Sequence, residues 1–132
     1  MQITPYLFYD GTCEQALTFY ADVLGGTVLG KVRYSEMPEG ERPEGAGDGI
    51  ANMMIRAAGI SIMGSDRLPG QGRPMGGFDL HVGVEDPEEG ERLLGALTRG
   101  GTIRVPWGAT SWARGFGTGE DRFGTGWMVG CE

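Results

Sequence analysis

The sequence predicts an α+β protein in which two βαβββ modules form one domain, residues 1–132. One observation is a strand, helix and strand order that occurs twice. The other is a switch between the two-residue apolar period of strands and the 3.6-residue period of helices. The triplet "GGT" at 25–27 returns 75 residues later at 100–102, and the apolar residues of the two helices repeat at nearly the same distance. A period this long indicates one duplicated module and not an array of short repeats.

Module one is predicted over about residues 1–66. Its helix should begin at Thr12, whose hydroxyl can accept a hydrogen bond from the first helical turn, and should stop at Gly25. The other expected elements are a strand at 2–9, a strand at 27–37, an acidic and glycine-rich surface loop at 38–49, and two strands within 50–66 joined by a turn at Ala58-Gly59.

Module two is predicted over about residues 78–132, after a glycine- and proline-rich linker at 67–77. Its helix should begin at Asp86-Pro87, because an acidic cap followed by proline is typical of a helix start, and Leu93, Leu94 and Leu97 form its apolar stripe. The other expected elements are strands at 78–84, 102–107, 112–118 and 126–131, with a hairpin at 120–125. The chain end is therefore predicted to be part of the core.

Composition narrows the class of function. A formal net charge of −7 argues against binding to a phosphate backbone, so we expect no nucleic-acid partner. No apolar run is long enough for a membrane span and the N-terminus has no signal-peptide pattern, so we expect no membrane partner and a cytoplasmic location. The two cysteines, Cys13 and Cys131, are too few for a disulfide framework, and we expect inert thiols.

Several segments resemble the PhnB-like branch of the vicinal oxygen chelate superfamily, which includes glyoxalase I, extradiol dioxygenases and bleomycin-resistance proteins. They are "PYLFYDG", "EQALTFYADVLGG", Ser65-Asp66 and the closing "W…FG…DRFG…WM" between Trp112 and Met128. The resemblance covers nearly the whole chain. It implies that the sheets of the two modules curl into an incomplete barrel with one helix per module packed outside, and that the protein is a homodimer.

The enzymes of that superfamily hold a divalent metal ion, and the resemblance implies where its ligands would lie. The first position falls at Pro5, which has no donor side chain, and the third-strand position has Asn52. The last-strand position falls at Trp127 or Met128. Only Asp79 and His81, on one face of the first strand of module two, are plausible ligands. We therefore expect no metal site and no cofactor, with a divalent metal ion as the less favoured alternative.

His81, the only histidine, and Asp79 are the candidate catalytic residues, because a histidine can exchange protons near neutral pH. A hydrogen-bonded structural histidine is the competing interpretation. Trp112 and Phe116 are predicted to share a strand face and line a cavity, and Arg122 could bind an anionic ligand or merely close its turn. The remaining candidate substrate-binding residues are Tyr6 and Asn52.

The leading functional hypothesis is a PhnB-like protein whose aromatic-lined pocket binds a small molecule without the usual metal ligands. One alternative is a metal-dependent lyase, isomerase or thiol transferase of the glyoxalase type. The other is a binding protein that sequesters a cationic drug, which the acidic balance and the aromatic residues suggest. A methyltransferase is disfavoured, because no strand, glycine-rich turn and helix unit of the dinucleotide-binding kind is visible.

Overall fold

The computed structural model describes all 132 residues. They divide into two compact units, Met1–Pro74 and Met75–Glu132, called module one and module two below. The boundary lies inside the predicted linker at 67–77. Each unit contains one helix of eleven residues, and neither helix is long and apolar enough to cross a membrane.

Module one has the order strand, helix and three strands. Its elements are β1 (Tyr6–Tyr9), α1 (Cys13–Val23), β2 (Thr27–Arg33), β3 (Ile50–Ala57) and β4 (Ile60–Asp66). The strands form one open sheet in the order β1-β4-β3-β2, in which β1 and β4 are parallel and the other pairs antiparallel. The prediction of strands on either side of Ala58-Gly59 is confirmed. Both turn residues have positive φ, as a two-residue hairpin requires.

The start of α1 differs from the prediction. The side chain of Thr12 makes no capping hydrogen bond. Instead the buried carboxylate of Asp66, at the end of β4, accepts from the backbone N–H of Cys13 at 2.9 Å and from that of Ile50 at 2.8 Å. One side chain therefore joins the helix start to two strands, a tertiary cap that no local pattern reveals.

Module two repeats this order with β5 (Leu80–Gly83), α2 (Pro87–Leu97), β6 (Thr102–Gly108), β7 (Gly115–Glu120) and β8 (Gly126–Cys131). Its sheet has the corresponding strand order, β5-β8-β7-β6, again with one parallel pair. The prediction for α2 is confirmed: Asp86 accepts from the N–H of Glu88 at 3.2 Å, and Pro87 occupies the first turn. The fold class is thus the predicted pair of βαβββ modules.

Three strand predictions needed correction. The first strand begins at Tyr6 and not at residue 2, β2 ends at Arg33 in a short 3-10 turn, and β7 begins at Gly115 and not at residue 112. The last difference has a clear cause. The hydroxyl of Thr110 accepts from the N–H groups of Trp112 and Ala113 at 3.3 and 3.0 Å, which forms a side-chain turn where extended pairing was expected.

Each sheet packs its helix against one face only. In module two, a Cβ on Gly117 would meet Leu94 of α2 at 2.5 Å, and one on Gly119 would meet Thr98 at 2.5 Å, so these β7 positions face the helix. Trp127 and Val129 share that side and are buried. The alternate residues, which include His81, Phe116 and Met128, therefore lie on the opposite side, here called the helix-free face.

The closing motif of the chain is explained by one buried carboxylate. Asp121 is 3% exposed and accepts from the backbone N–H of Phe123 and Thr125 at 2.8 and 3.0 Å and from the indole N–H of Trp127 at 2.9 Å. Gly124 supplies the positive φ of the turn. The predicted hairpin and final strand are confirmed, and the tail is part of the core.

Candidate functional site

A cavity of about 720 Å³ lies on the helix-free face of module two. Its floor is formed by β5 and β8, where His81 pairs in register with Met128 and Gly83 pairs with Gly130. Its walls come from the loop before β7 and from the ends of β5 and β8. The side chains that give it chemical character are those of His81, Glu85, Trp112, Arg114, Phe116, Met128 and Glu132.

His81 is exposed and lies over a glycine. A Cβ on Gly130 would be 3.1 Å from its Nε2 and 3.7 Å from Cδ2 of Phe116, so a larger residue at this position would require the imidazole to shift. The ring can therefore meet a molecule in the cavity with either nitrogen as donor or acceptor.

Trp112 and Phe116 lie together, although not for the predicted reason. Their ring centroids are 5.8 Å apart in an edge-to-face arrangement. Trp112 belongs to the Thr110 turn and is 67% exposed, so its contact with Phe116 comes from that turn and not from strand alternation. The prediction that the two residues share a strand face is wrong, because Trp112 lies outside β7. Both residues line the cavity, and their role in binding a ligand remains a prediction.

Arg114 holds the wall that carries Trp112, and sequence reasoning missed it. Its Nε donates to the carbonyl of Glu132 at 2.9 Å and its Nη2 donates to the carbonyl of Glu85 at 2.8 Å. The backbone N–H of Arg114 also donates to the carbonyl of Cys131 at 2.7 Å. The guanidinium thus ties the ends of β5 and β8 to the start of β7. The sequence signal for this role is the place of Arg114 between two aromatic residues in "WARGF".

Asp79 lies on the same face as His81, as predicted, but its partner is a different residue. Its Oδ1 is 2.8 Å from Nη2 of Arg104, and a Cβ on Gly126 would be 2.0 Å from that oxygen. Asp79 does not line the cavity. The structure therefore separates the two candidate catalytic residues into a cavity histidine and an ion-paired aspartate.

Arg122 lies in the turn between β7 and β8 and does not line the cavity. Its guanidinium carbon is 4.4 Å from the centroid of the Phe123 ring, which is a cation–π contact. That Arg122 binds an anionic ligand stays a prediction.

The two candidates of module one also lie together. Nδ2 of Asn52 is 3.4 Å from the hydroxyl of Tyr6, and that hydroxyl lies 3.4 Å from the carbonyl of Ala51. Tyr6 and Phe8 share one side of β1, as predicted, with ring centroids 5.0 Å apart. These side chains form a partly exposed aromatic and amide group on the helix-free face of the first sheet.

The thiol of Cys13 is buried among groups that disfavour its ionisation. Burial raises the pKa of its thiol from 9.0 to about 12, and the negative charges of Asp66 and Glu14 act in the same direction. The thiolate, which is the nucleophile and metal ligand, is therefore strongly disfavoured at neutral pH. Both cysteines are buried and reduced.

The residues at the implied metal-ligand positions do not suit a divalent ion. In module one, Pro5 offers only a carbonyl, which accepts from the N–H of Met63. In module two, Trp127 faces α2, and Met128 offers a thioether, which is a soft ligand. No group of three or more histidine, cysteine, aspartate or glutamate side chains in the structure could hold a metal ion.

The two βαβββ modules define the class of protein: the fold is that of the glyoxalase, bleomycin-resistance and dioxygenase superfamily. Within it, the chain belongs to the family described as 3-demethylubiquinone-9 3-methyltransferase, whose model matches residues 1–130. The resemblance to PhnB-like proteins is thereby confirmed.

Similar proteins span the whole chain. Protein YjdN of Escherichia coli is 36% identical, over 98% of this chain and 94% of its own. The crystal structure of PA1353 from Pseudomonas aeruginosa is also 36% identical, with a TM-score of 0.91 over 100% of this chain and 98% of that one. A Bacillus cereus PhnB protein, 23% identical with a TM-score of 0.82 and full coverage of both chains, shares the fold.

Proposed function

We propose that this protein binds a small organic molecule in the cavity on the helix-free face of module two. The observation that carries the proposal is the convergence of His81 in β5 with Trp112 and Phe116, more than 30 residues along the chain, on one cavity of about 720 Å³. A concave site of this size, mostly apolar with a few polar groups, is typical of small-molecule sites.

Within this proposal, aromatic contact supplies most of the affinity. The exposed Trp112 ring and the Phe116 edge would cover an apolar or aromatic part of the ligand, and Met128 would contact it from the floor. His81 supplies the only imidazole in the cavity, so it is our candidate general base if the ligand is turned over. Asp79 is left out of this role because its carboxylate is paired with Arg104.

The charges of the cavity favour a cationic ligand over an anionic one, which supports the drug-sequestering alternative as a second candidate. Glu85 and Glu132 line the cavity, whereas the guanidinium of Arg114 donates to two backbone carbonyls. An exposed tryptophan face can bind a cation as well. The metal-assisted enzyme is not proposed, because the residues at the implied ligand positions do not fit a divalent ion.

The methyltransferase named in the family description is not our proposal either. Each sheet here has four strands, a single parallel pair and one helix, whereas dinucleotide-type folds have a mostly parallel sheet with helices on both faces. The proposal rests on the cavity and not on the family name.

The experiment uses three probes that share a benzyl group and differ in charge: benzyltrimethylammonium, benzyl alcohol and phenylacetate. Each is titrated into ¹⁵N-labelled protein while the three indole N–H signals are followed. We expect a saturable shift of the Trp112 signal, with the cation binding tightest if the second candidate is correct. The Trp127 signal should stay in place, because its indole is 1% exposed and bonded to Asp121.

Two matched glycine variants locate the binding. Gly130→Ala places a methyl group 3.1 Å from Nε2 of His81, so the ring must move, and we expect roughly fivefold weaker binding, equivalent to about 1 kcal/mol. Gly95→Ala, on α2 and outside the cavity lining, adds the same methyl group with nothing within 4 Å and should change affinity little. If no probe shifts Trp112 saturably, or if both variants behave alike, the cavity is not the binding site.

A further inference from the structure

Arg104 lies on the helix-free face of module two, where two hydrogen bonds hold its guanidinium in place. Its Nη2 donates to Oδ1 of Asp79 at 2.8 Å and to the carbonyl of Gly119 at 2.9 Å. Both hydrogen bonds use Nη2, so Nη1, with two N–H groups, and Nε remain available. The side chain is 44% exposed. The guanidinium is therefore held in place from one side and accessible from the other.

A β-bulge aims this side chain. In the pairing of β6 with β7, Ile103 lies opposite Gly119 and Val105 lies opposite Thr118, which leaves Arg104 as the extra residue. Without the bulge, strand alternation would send residues 104 and 105 to opposite faces. Bulges commonly re-aim a side chain beside a functional site.

The floor under the ion pair is a glycine. A Cβ on Gly126 would lie 2.0 Å from Oδ1 of Asp79 and 2.9 Å from Nη2 of Arg104, so any other residue at this position would displace the pair from its present place. A surface ion pair alone contributes little stability, typically under about 1 kcal/mol. Stability therefore does not account for a bulge and a glycine that together keep this guanidinium flat on the sheet.

The corresponding positions of module one carry no charge. The bulges of β2 and β6 lie at matching places, and the register followed from them across each sheet pairs Gly64 with Val129 and Leu7 with Val82. By this correspondence, the positions of Asp79, Arg104 and Gly126 are occupied in module one by Thr4, Leu29 and Ser61. An uncharged set in one module is thus replaced by an ion pair over a glycine in the other.

We propose that Arg104 is an oxyanion-binding residue, which takes a carboxylate or phosphoryl oxygen of a ligand on Nη1 while Asp79 and the carbonyl of Gly119 hold Nη2. A guanidinium suits such oxygens because its N–H groups are fixed in a plane and permanently charged. The inference stands apart from the cavity of the proposed function, since neither Arg104 nor Asp79 nor Gly126 lines it.

The test titrates inorganic phosphate and acetate, at constant ionic strength, into ¹⁵N-labelled protein and follows the arginine Nε–H signals. We expect the Arg104 signal to shift saturably with at least one of the two anions. Stronger binding of phosphate assigns a phosphoryl oxyanion, and stronger binding of acetate assigns a carboxylate. Arg104→Met should abolish the saturable response of the neighbouring backbone signals, whereas Arg99→Met, which removes an equal charge from an exposed site in the same module, should preserve it.

A second pair of variants tests the glycine floor. Gly126→Ala should weaken anion binding by about tenfold or more because it displaces the pair, whereas Gly108→Ala, also in the sheet but with nothing within 4 Å of the added methyl group, should leave it within about twofold. The proposal is overturned if neither anion shifts Arg104 saturably, or if Arg104→Met binds as tightly as the unaltered protein. The Met variant decides the matter even if Gly126→Ala fails to fold.

Discussion

Replacing Asp121 should strongly destabilise module two. The carboxylate is 3% exposed and accepts three hydrogen bonds, two of them from the buried residues Thr125 and Trp127. An unsatisfied buried donor costs about 1–3 kcal/mol. Asp121→Ala leaves these donors without their acceptor, so we expect a loss of roughly 3–5 kcal/mol of unfolding free energy, a large share of the ~5–15 kcal/mol of a typical domain.

Asp121→Asn isolates the bond to the indole. The amide oxygen can still accept from the two backbone N–H groups, but its NH₂ group then faces the N–H of Trp127, donor against donor. We expect a loss of about 1–3 kcal/mol. In a Trp127→Phe background that donor is absent. The loss of unfolding free energy caused by Asp121→Asn should therefore be smaller there, by about 1 kcal/mol or more.

The measurement is urea denaturation, monitored by far-ultraviolet circular dichroism, of the unaltered protein, Asp121→Asn, Trp127→Phe and the double variant. Asp22→Asn, an exposed aspartate on α1, is the control and should stay within about 0.5 kcal/mol of the unaltered protein. Equal costs of Asp121→Asn in the two backgrounds would refute the direct bond between carboxylate and indole. A cost no larger than that of Asp22→Asn would refute the whole account of the turn.

Three further predictions concern module one. Burial raises the pKa of the Cys13 thiol from 9.0 to about 12, so this thiol ionises at lower pH in the unfolded chain than in the folded protein. The free energy of unfolding should therefore decline as pH rises from about 9 toward 12. Cys13→Ala should flatten that decline in urea denaturation measured across this pH range. For the same reason iodoacetamide at pH 8 should label Cys13 only after denaturation, and rapid labelling of the folded protein, detected by mass spectrometry, would contradict its burial. Ala58 has φ of 51°, a strained conformation for a residue with a Cβ, so Ala58→Gly should gain about 0.5–1 kcal/mol and Gly59→Ala, at φ of 82°, should lose about 1 kcal/mol or more. If Ala58→Gly instead lowered the urea midpoint, the turn geometry would be wrong.

Local signals predicted much of this fold. The Asp86-Pro87 start of α2, the Ala58-Gly59 turn and the final strand were all predictable, because each depends on residues adjacent in sequence. The duplication was predictable for another reason, since a repeated pattern needs no knowledge of contacts.

The errors and omissions share a different cause. The cap of α1 comes from Asp66, 53 residues away from the N–H that it accepts, and the partner of Asp79 lies 25 residues along the chain. Periodicity carries no information on such contacts. Strand alternation does not place Arg104 on the helix-free face, because a bulge interrupts the alternation there. The same pattern wrongly places Trp112 in a strand, because alternation takes no account of the turn formed by the hydroxyl of Thr110.

The paired bulges also bear on how each sheet protects its edges. An exposed edge strand is a template on which another chain can add, and the risk rises with its length and regularity. In both modules one edge, β1 or β5, is only four residues long, while the other, β2 or β6, is seven residues long and interrupted by its bulge. A foreign strand in regular register therefore finds no long, even row of N–H and C=O groups. The same bulge that aims Arg104 at the helix-free face thus helps to keep the protein from aggregating through its longest edge.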